Sequence, residues 1–259
     1  EDGYLEDPKT AETIIDNAIK AAIDKGLYII VDWHANDMHL DLASDFFGRI
    51  SKEYGSYPNI IYELFNEPSG RTPKDLDETW PQLKQYSEEL IATIREHDPD
   101  NLIIVPTPFW DQLVDQVAKD PSTVDSKGAP VKNIAYSLHF YAREHGEELR
   151  KRADIALAKG LPIWVTQCGR VGINFSSPRF ENANLPDIKS WNVWQKWMDD
   201  NSISYCKWSL GTKDETSSSL YPTANPNGYW TNTDLTPEGI WNRNHFRERY
   251  SKGWSPGCD

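Results

Sequence analysis

Cysteine is scarce in this sequence. There are three in 259 residues, Cys168, Cys206 and Cys258, an odd number and widely spread. Such spacing carries neither a disulfide framework nor a zinc-ligand cluster. Positive charge is also short: 27 Lys and Arg stand against 40 Asp and Glu, a formal net charge of −13. Nucleic acid and anionic membrane both need a basic face, so neither is expected as a partner. No apolar run approaches the roughly 18 residues of a membrane-spanning helix. No glycine-rich loop joins a strand to a helix, which disfavours a nucleotide-binding α/β protein. No G-x-S-x-G elbow occurs, which disfavours a Ser-His-Asp esterase. No low-complexity linker interrupts the chain, so one domain over residues 1–259 is expected. The first residues, EDGYLEDP, show no initiator methionine and no signal peptide, as in a processed chain or a fragment. NFS at 174–176 is a glycosylation sequon that matters only in a eukaryotic secretory pathway.

What the chain has in excess is aromatic side chains. Eleven Trp and twelve Tyr exceed what core packing alone calls for and suggest flat apolar platforms. Sugar rings present apolar C–H faces that stack on such surfaces. Short β-rich runs alternate with helical stretches. Strands are predicted at 27–33, 59–65, 102–106, 134–140, 162–167 and 203–209. Helices are predicted near 9–25, 42–54, 80–97, 111–118, 146–159, 187–200 and 237–250. Several strands are continuous apolar runs, as expected where both faces of a parallel sheet are covered. The class is α/β. Six strands fit part of a (β/α)8 TIM barrel or an open doubly wound sheet, and the pattern alone leaves both open.

Polar and aromatic residues gather at the C-terminal ends of these strands, where parallel α/β folds build their sites. Strand 27–33 ends in Asp32, Trp33 and His34, and strand 59–65 in Asn66, Glu67 and Pro68. Trp110 follows the third strand; His139 and Tyr141 close the fourth. Gln167 ends the fifth, and Trp208, Lys213 and Glu215 lie at and beyond the sixth. By strand alternation Glu63 points the same way as Glu67 but deeper, as a structural partner.

The ordered set DWH, NEP, HFY, PIWVTQCG and WSLGTKDE resembles glycoside hydrolase family 5, most closely its endo-β-1,4-glucanases (cellulases). YGSYPNIIYELFNEP and KWSLGTKDETSSSLYP are the most diagnostic stretches, and the resemblance runs to about residue 251. It implies a (β/α)8 barrel that needs no metal or cofactor, acts on a β-glucan polysaccharide or oligosaccharide, is secreted and extracellular, and is a monomer. It further implies that DWH belongs to the third barrel strand, so that two strands and an active-site arginine would precede this sequence. By position, Glu67 resembles the acid/base and Gln167 stands where the glutamate nucleophile belongs. Asn66 resembles the grip on the sugar 2-hydroxyl, and Tyr141 the hydrogen-bond neighbour of the nucleophile. His34 and His139 resemble sugar-facing and acid-orienting groups. Trp208 resembles the floor at the cleaved glucose, Trp110 an aglycone-side platform, and Lys213 and Glu215 glycone-side hydrogen-bond partners.

Gln167 departs from the pattern because an amide is a poor nucleophile and cannot balance positive charge on the sugar. Cys168, Arg170 and Lys207 depart as well. They replace an aromatic, a small hydroxyl residue and an asparagine in the pattern. A single engineered change explains only Gln167; a diverged member explains all four, as would a sequencing error or a pseudogene-like copy, and a diverged or degraded member is favoured. Two expectations follow: impaired or abolished retaining hydrolysis of β-1,4-glucan, or a carbohydrate-binding pseudoenzyme.

Overall fold

The computed structural model describes residues 3–35, 37–68, 76–170 and 188–250, without the side chains of 76–79 and 250. The NFS sequon and Cys258 lie outside the described residues. Six strands occupy the six predicted runs: β1 (Ile29–Asp32), β2 (Ile60–Glu63), β3 (Ile103–Val105), β4 (Ile134–Tyr141), β5 (Ile163–Gly169) and β6 (Tyr205–Lys207). Their order in the sheet is β1-β2-β3-β4-β5-β6. A doubly wound sheet reverses direction at a switch point. This order never reverses, so the winding is that of the (β/α)8 barrel class.

The chain forms two compact units. The first holds Glu1–Asp111 and Lys119–Tyr136. Within it β1, β2, β3 and the start of β4 pair in parallel, in a register that sets Asp32 beside Glu63. All four residues of β2 are buried: the apolar Ile60, Ile61 and Tyr62 as expected with both faces covered, and with them Glu63. Helix α1 (Pro8–Asp24) begins with Pro8 in the first turn and an Asp7 cap that accepts from Thr10 N at 3.1 Å. Helix α2 (Leu40–Tyr54) buries Ala43, Phe46, Phe47, Ile50 and Tyr54, the i, i+3, i+4, i+7 stripe of an amphipathic helix. It ends at Gly55, where a Cβ would lie 2.4 Å from Ser51 O and 2.7 Å from Asp98 Cβ. That close approach brings the buried Asp98 carboxylate within reach of Tyr62 Oη, which donates to it at 2.6 Å. Helix α3 (Leu76–Arg95) packs against α2.

The second unit holds Gln112–Ala118 and Ser137–Asp259. It contains the rest of β4, then β5 and β6, paired in parallel through Val165–Tyr205 and Cys168–Lys207 with a register shift between. Helices α6 (Glu147–Ala158), α7 (Ile188–Asp200) and α8 (Pro237–Tyr250) belong to it. Its core is aromatic. Phe140 stacks on Trp194 at 3.8 Å, and Trp191 meets Trp241 edge-on at 5.5 Å.

One predicted helix is corrected. The run 111–118 is not continuous; α4 (Pro108–Asp111) and α5 (Val114–Val117) stand in its place. Phe109, Trp110 and Asp111 have φ of 58°, 54° and 57°, a left-handed turn rather than a right-handed helix. Each such residue costs about 1–2 kcal/mol. Competing hydrogen bonds offset it: Asp111 Oδ1 accepts from Thr107 N at 2.7 Å, and Trp110 N donates to Pro68 O at 2.9 Å. Helical patterning cannot register such long-range partners.

Candidate active site

The residues expected to act fall on both units. In the first, the ends of β1 and β2 bring Asp32, His34 and Asn66 together. His34 Nδ1 lies 2.8 Å from Asp32 Oδ2, and His34 Nε2 lies 3.3 Å from Asn66 Nδ2. Because the carboxylate can only accept, Nδ1–H donates to it, which leaves Nε2 to accept from the Asn66 amide. The His34 side chain is half exposed. Its pKa is raised, chiefly by the hydrogen bond to Asp32 and then by the charges of Asp32, Glu67 and Glu63, against the opposing effect of burial. Proton NMR of the imidazole is expected to give a midpoint above 6.5 that falls toward it in Asp32→Asn. The sign follows from linkage: the folded state holds the extra proton. This stabilisation is complete below the unfolded pKa and is lost as pH rises through the folded one. An unshifted midpoint would remove the Asp32–His34 pair from the account.

Glu67 is partly buried and its φ is 48°, left-handed and strained for a residue with a side chain. Its N–H donates to Asp111 Oδ2 at 3.0 Å. Trp110 is 38% exposed on the neighbouring turn, with Phe109 packed edge-on at 4.6 Å. Glu63 is buried, as its deeper position predicts. A cavity of about 860 Å³ opens beside β1, lined in part by Tyr4, Asp32, Trp33, His34, His39 and Phe46. Sequence reading picked out Asp32 and His34 there but not Tyr4, whose ring meets Trp33 edge-on at 5.4 Å.

In the second unit, Gln167 is buried on β5 and its Nε2 donates to Tyr141 Oη at 2.8 Å. A carboxylate at this position would accept from the tyrosine instead, so the amide reverses the hydrogen bond. His139 is buried, with Nε2 hydrogen-bonded to Thr166 Oγ1 at 2.7 Å. Trp208 is partly buried and its Nε1 donates to Glu215 Oε1 at 2.7 Å. Glu215 itself is only 1% exposed and also accepts from Ser217 Oγ at 3.0 Å. The structure therefore places this carboxylate as the support of the Trp208 indole. Lys213 lies over the same ring, its Nζ 5.4 Å from the centroid.

Arg170 and Lys207, which depart from the family pattern, converge on one carboxylate. Arg170 Nη2 donates to Glu238 Oε2 at 2.6 Å, and Lys207 Nζ lies 3.5 Å from Glu238 Oε1. The three side chains are 2%, 5% and 6% exposed. The ammonium pairs with Glu238 at this distance and also faces the Trp191 ring at 4.1 Å; Arg170 lies 3.8 Å over Trp241. Burial pushes the Lys207 pKa down. It pushes the Cys168 thiol up to about 12, so that sulfur is inert and donates to Cys206 O at 3.2 Å. Sequence reading missed Glu238. Its only local signal is the helix start TPEG, where Thr236 Oγ1 accepts from Gly239 N at 3.0 Å. Among the described residues, no group of three or more His, Cys, Asp or Glu side chains is arranged to hold a metal ion.

The model of the cellulase family, glycosyl hydrolase family 5, matches residues 2–214. Endoglucanase A of Evansella cellulosilytica is 39% identical over 255 residues, covering 96% of this chain and 48% of that protein. The chain thus spans about half the length of the curated relatives it matches. A structure from Cytophaga hutchinsonii superposes with a TM-score of 0.83 at 37% identity, covering 97% of this chain and 76% of the other. The catalytic domain of Thermobifida fusca endoglucanase Cel5A was solved as a glutamate-to-glutamine variant with cellotetraose. It superposes with a TM-score of 0.79 at 29% identity, covering 95% and 78%. With the family model spanning both units and the strand order of a (β/α)8 winding, the chain belongs to the cellulase family, glycosyl hydrolase family 5.

Proposed function

We propose that this chain is the catalytic part of an endo-β-1,4-glucanase whose bond-cleaving step is impaired or abolished at Gln167. A retaining glycosidase uses two carboxyls: one protonates the leaving oxygen while the other attacks the anomeric carbon, and water then releases the glycosyl-enzyme. Glu67 takes the acid/base role. Gln167 occupies the nucleophile's place. Its amide oxygen is weakly nucleophilic, and its neutral charge leaves the oxocarbenium-like transition state unbalanced. Asn66 grips the sugar 2-hydroxyl, His34 and His139 serve as sugar-facing and acid-orienting groups, and Tyr141 is the hydrogen-bond neighbour of Gln167. Trp110 and Trp208 stack on sugar faces, with Lys213 and Glu215 framing Trp208. The observation that carries this reading is the Gln167–Tyr141 hydrogen bond at the end of β5, a nucleophile's setting with an amide in it.

The second reading is a glucan-binding pseudoenzyme. It is supported by the satisfied, buried amide and by the Thermobifida fusca variant, in which a protein with glutamine for glutamate held cellotetraose. The substrate is an extracellular polymer under either reading, which fits a secreted monomer.

Electrophoresis in gels containing soluble β-1,4-glucan separates binding from cleavage. The chain is expected to be retarded without releasing reducing sugar, and Trp208→Ala to weaken retardation about tenfold, or 1.4 kcal/mol. A chain that passes unretarded has no working sugar cleft. Rapid turnover by the parent would mean that Gln167 is not at the nucleophile position.

A further inference from the structure

We propose that Asp111 is a positioning residue for Glu67, holding the proton donor in its strained conformation and joining it to the Trp110 platform. This rests on the reading of Glu67 as the acid/base.

Four left-handed residues meet here. Glu67 has φ of 48°, and the turn Phe109–Trp110–Asp111 has φ of 58°, 54° and 57°. None of the four is glycine, so both segments persist only if their surroundings hold them. Two hydrogen bonds run between them in opposite senses: Glu67 N donates to Asp111 Oδ2 at 3.0 Å, and Trp110 N donates to Pro68 O at 2.9 Å. The other Asp111 oxygen accepts from Thr107 N at 2.7 Å. Asp111 is fully buried, so these charge-assisted bonds meet little competition from water. The backbone of residue 67 sets the direction in which its carboxyl leaves the strand. An acid displaced by about 1 Å loses about 10²-fold in rate. The same turn carries the Trp110 ring, so platform and proton donor form one braced piece.

The test uses the Gln167→Glu chain as the catalytic reference, with two substrates. One is cellotetraose, whose leaving group needs a proton. The other is 2,4-dinitrophenyl β-cellobioside, whose leaving group departs without one. Asp111→Ala is expected to lower kcat/KM on cellotetraose by about 10–100-fold. Its loss on the dinitrophenyl substrate is expected to be at least tenfold smaller. Asp111→Asn keeps the volume and one acceptor, and should fall between. Glu67→Gln should show the same leaving-group dependence more strongly. Equal losses on both substrates for the Asp111 variants mean general damage and overturn the proposal. If Glu67→Gln lacks the dependence, the acid/base assignment fails first and the proposal with it. Should the reference chain turn over neither substrate, amide exchange in the parent background decides. Asp111→Ala is then expected to speed exchange at Glu67 N at least tenfold while leaving Leu64 N, which donates to Ile104 O, unchanged. An unchanged Glu67 amide would refute the clamp.

Discussion

Replacing Gln167 by glutamate is expected to raise reducing-sugar release from a soluble β-1,4-glucan by at least 10²–10³-fold over the parent. The substitution changes one nitrogen to oxygen without changing volume, so the buried site on β5 accepts it without repacking. Tyr141 then donates to the restored carboxylate, in place of the bond now running from Gln167 Nε2. The gain combines a competent nucleophile with electrostatic balance for the sugar cation; the second alone amounts to about 3–4 kcal/mol. Both chains must first match in circular dichroism. A folded but inert Gln167→Glu chain would put the block elsewhere and favour the binding reading.

Breaking the Arg170–Glu238–Lys207 cluster should have the largest effect on stability. Glu238→Gln leaves two buried cations without their shared anion, and removing one partner of a buried ion pair costs about 3–5 kcal/mol. Urea unfolding followed by tryptophan fluorescence reads this directly. The loss should shrink toward high pH. Lys207 already has a lowered pKa, so above that value the unfolded chain binds more protons than the folded one, and stability rises with pH until the lysine is neutral in both states. A loss under 1 kcal/mol would show that the aromatic faces of Trp191 and Trp241 carry the cations by themselves. Replacing all three charged groups by apolar residues of similar size is expected to be near neutral, because desolvation of the cluster offsets its attraction.

That cluster changes how the departures from the family pattern read. As a list, Gln167, Cys168, Arg170 and Lys207 suggest a diverged member of the family. In the fold, Arg170 and Lys207 answer one carboxylate on α8, and Cys168 sits inert beside them with its strand partner Lys207. They form a mutually compensated core feature, whereas Gln167 is held by Tyr141. No sequence spacing links residues 170, 207 and 238; only the packing of α8 against the strands does.

The sequence by itself determined the class, the six strands and the strand ends that carry polar groups. Those features follow from short-range rules: apolar runs, helical periodicity, capping residues and the alternation of strand side chains. Its order of motifs was enough to identify the family. Tertiary structure decided the rest. It chose sequential winding over an open doubly wound sheet through strand pairing, and turned 109–111 left-handed through hydrogen bonds to Pro68 and from Thr107. It set the buried Glu215 carboxylate at the Trp208 indole N–H and gave Asp111 its hold on Glu67. Each of these depends on partners distant in sequence or on burial, and the energy of a buried polar group is set by which partner arrives, a quantity no local pattern contains.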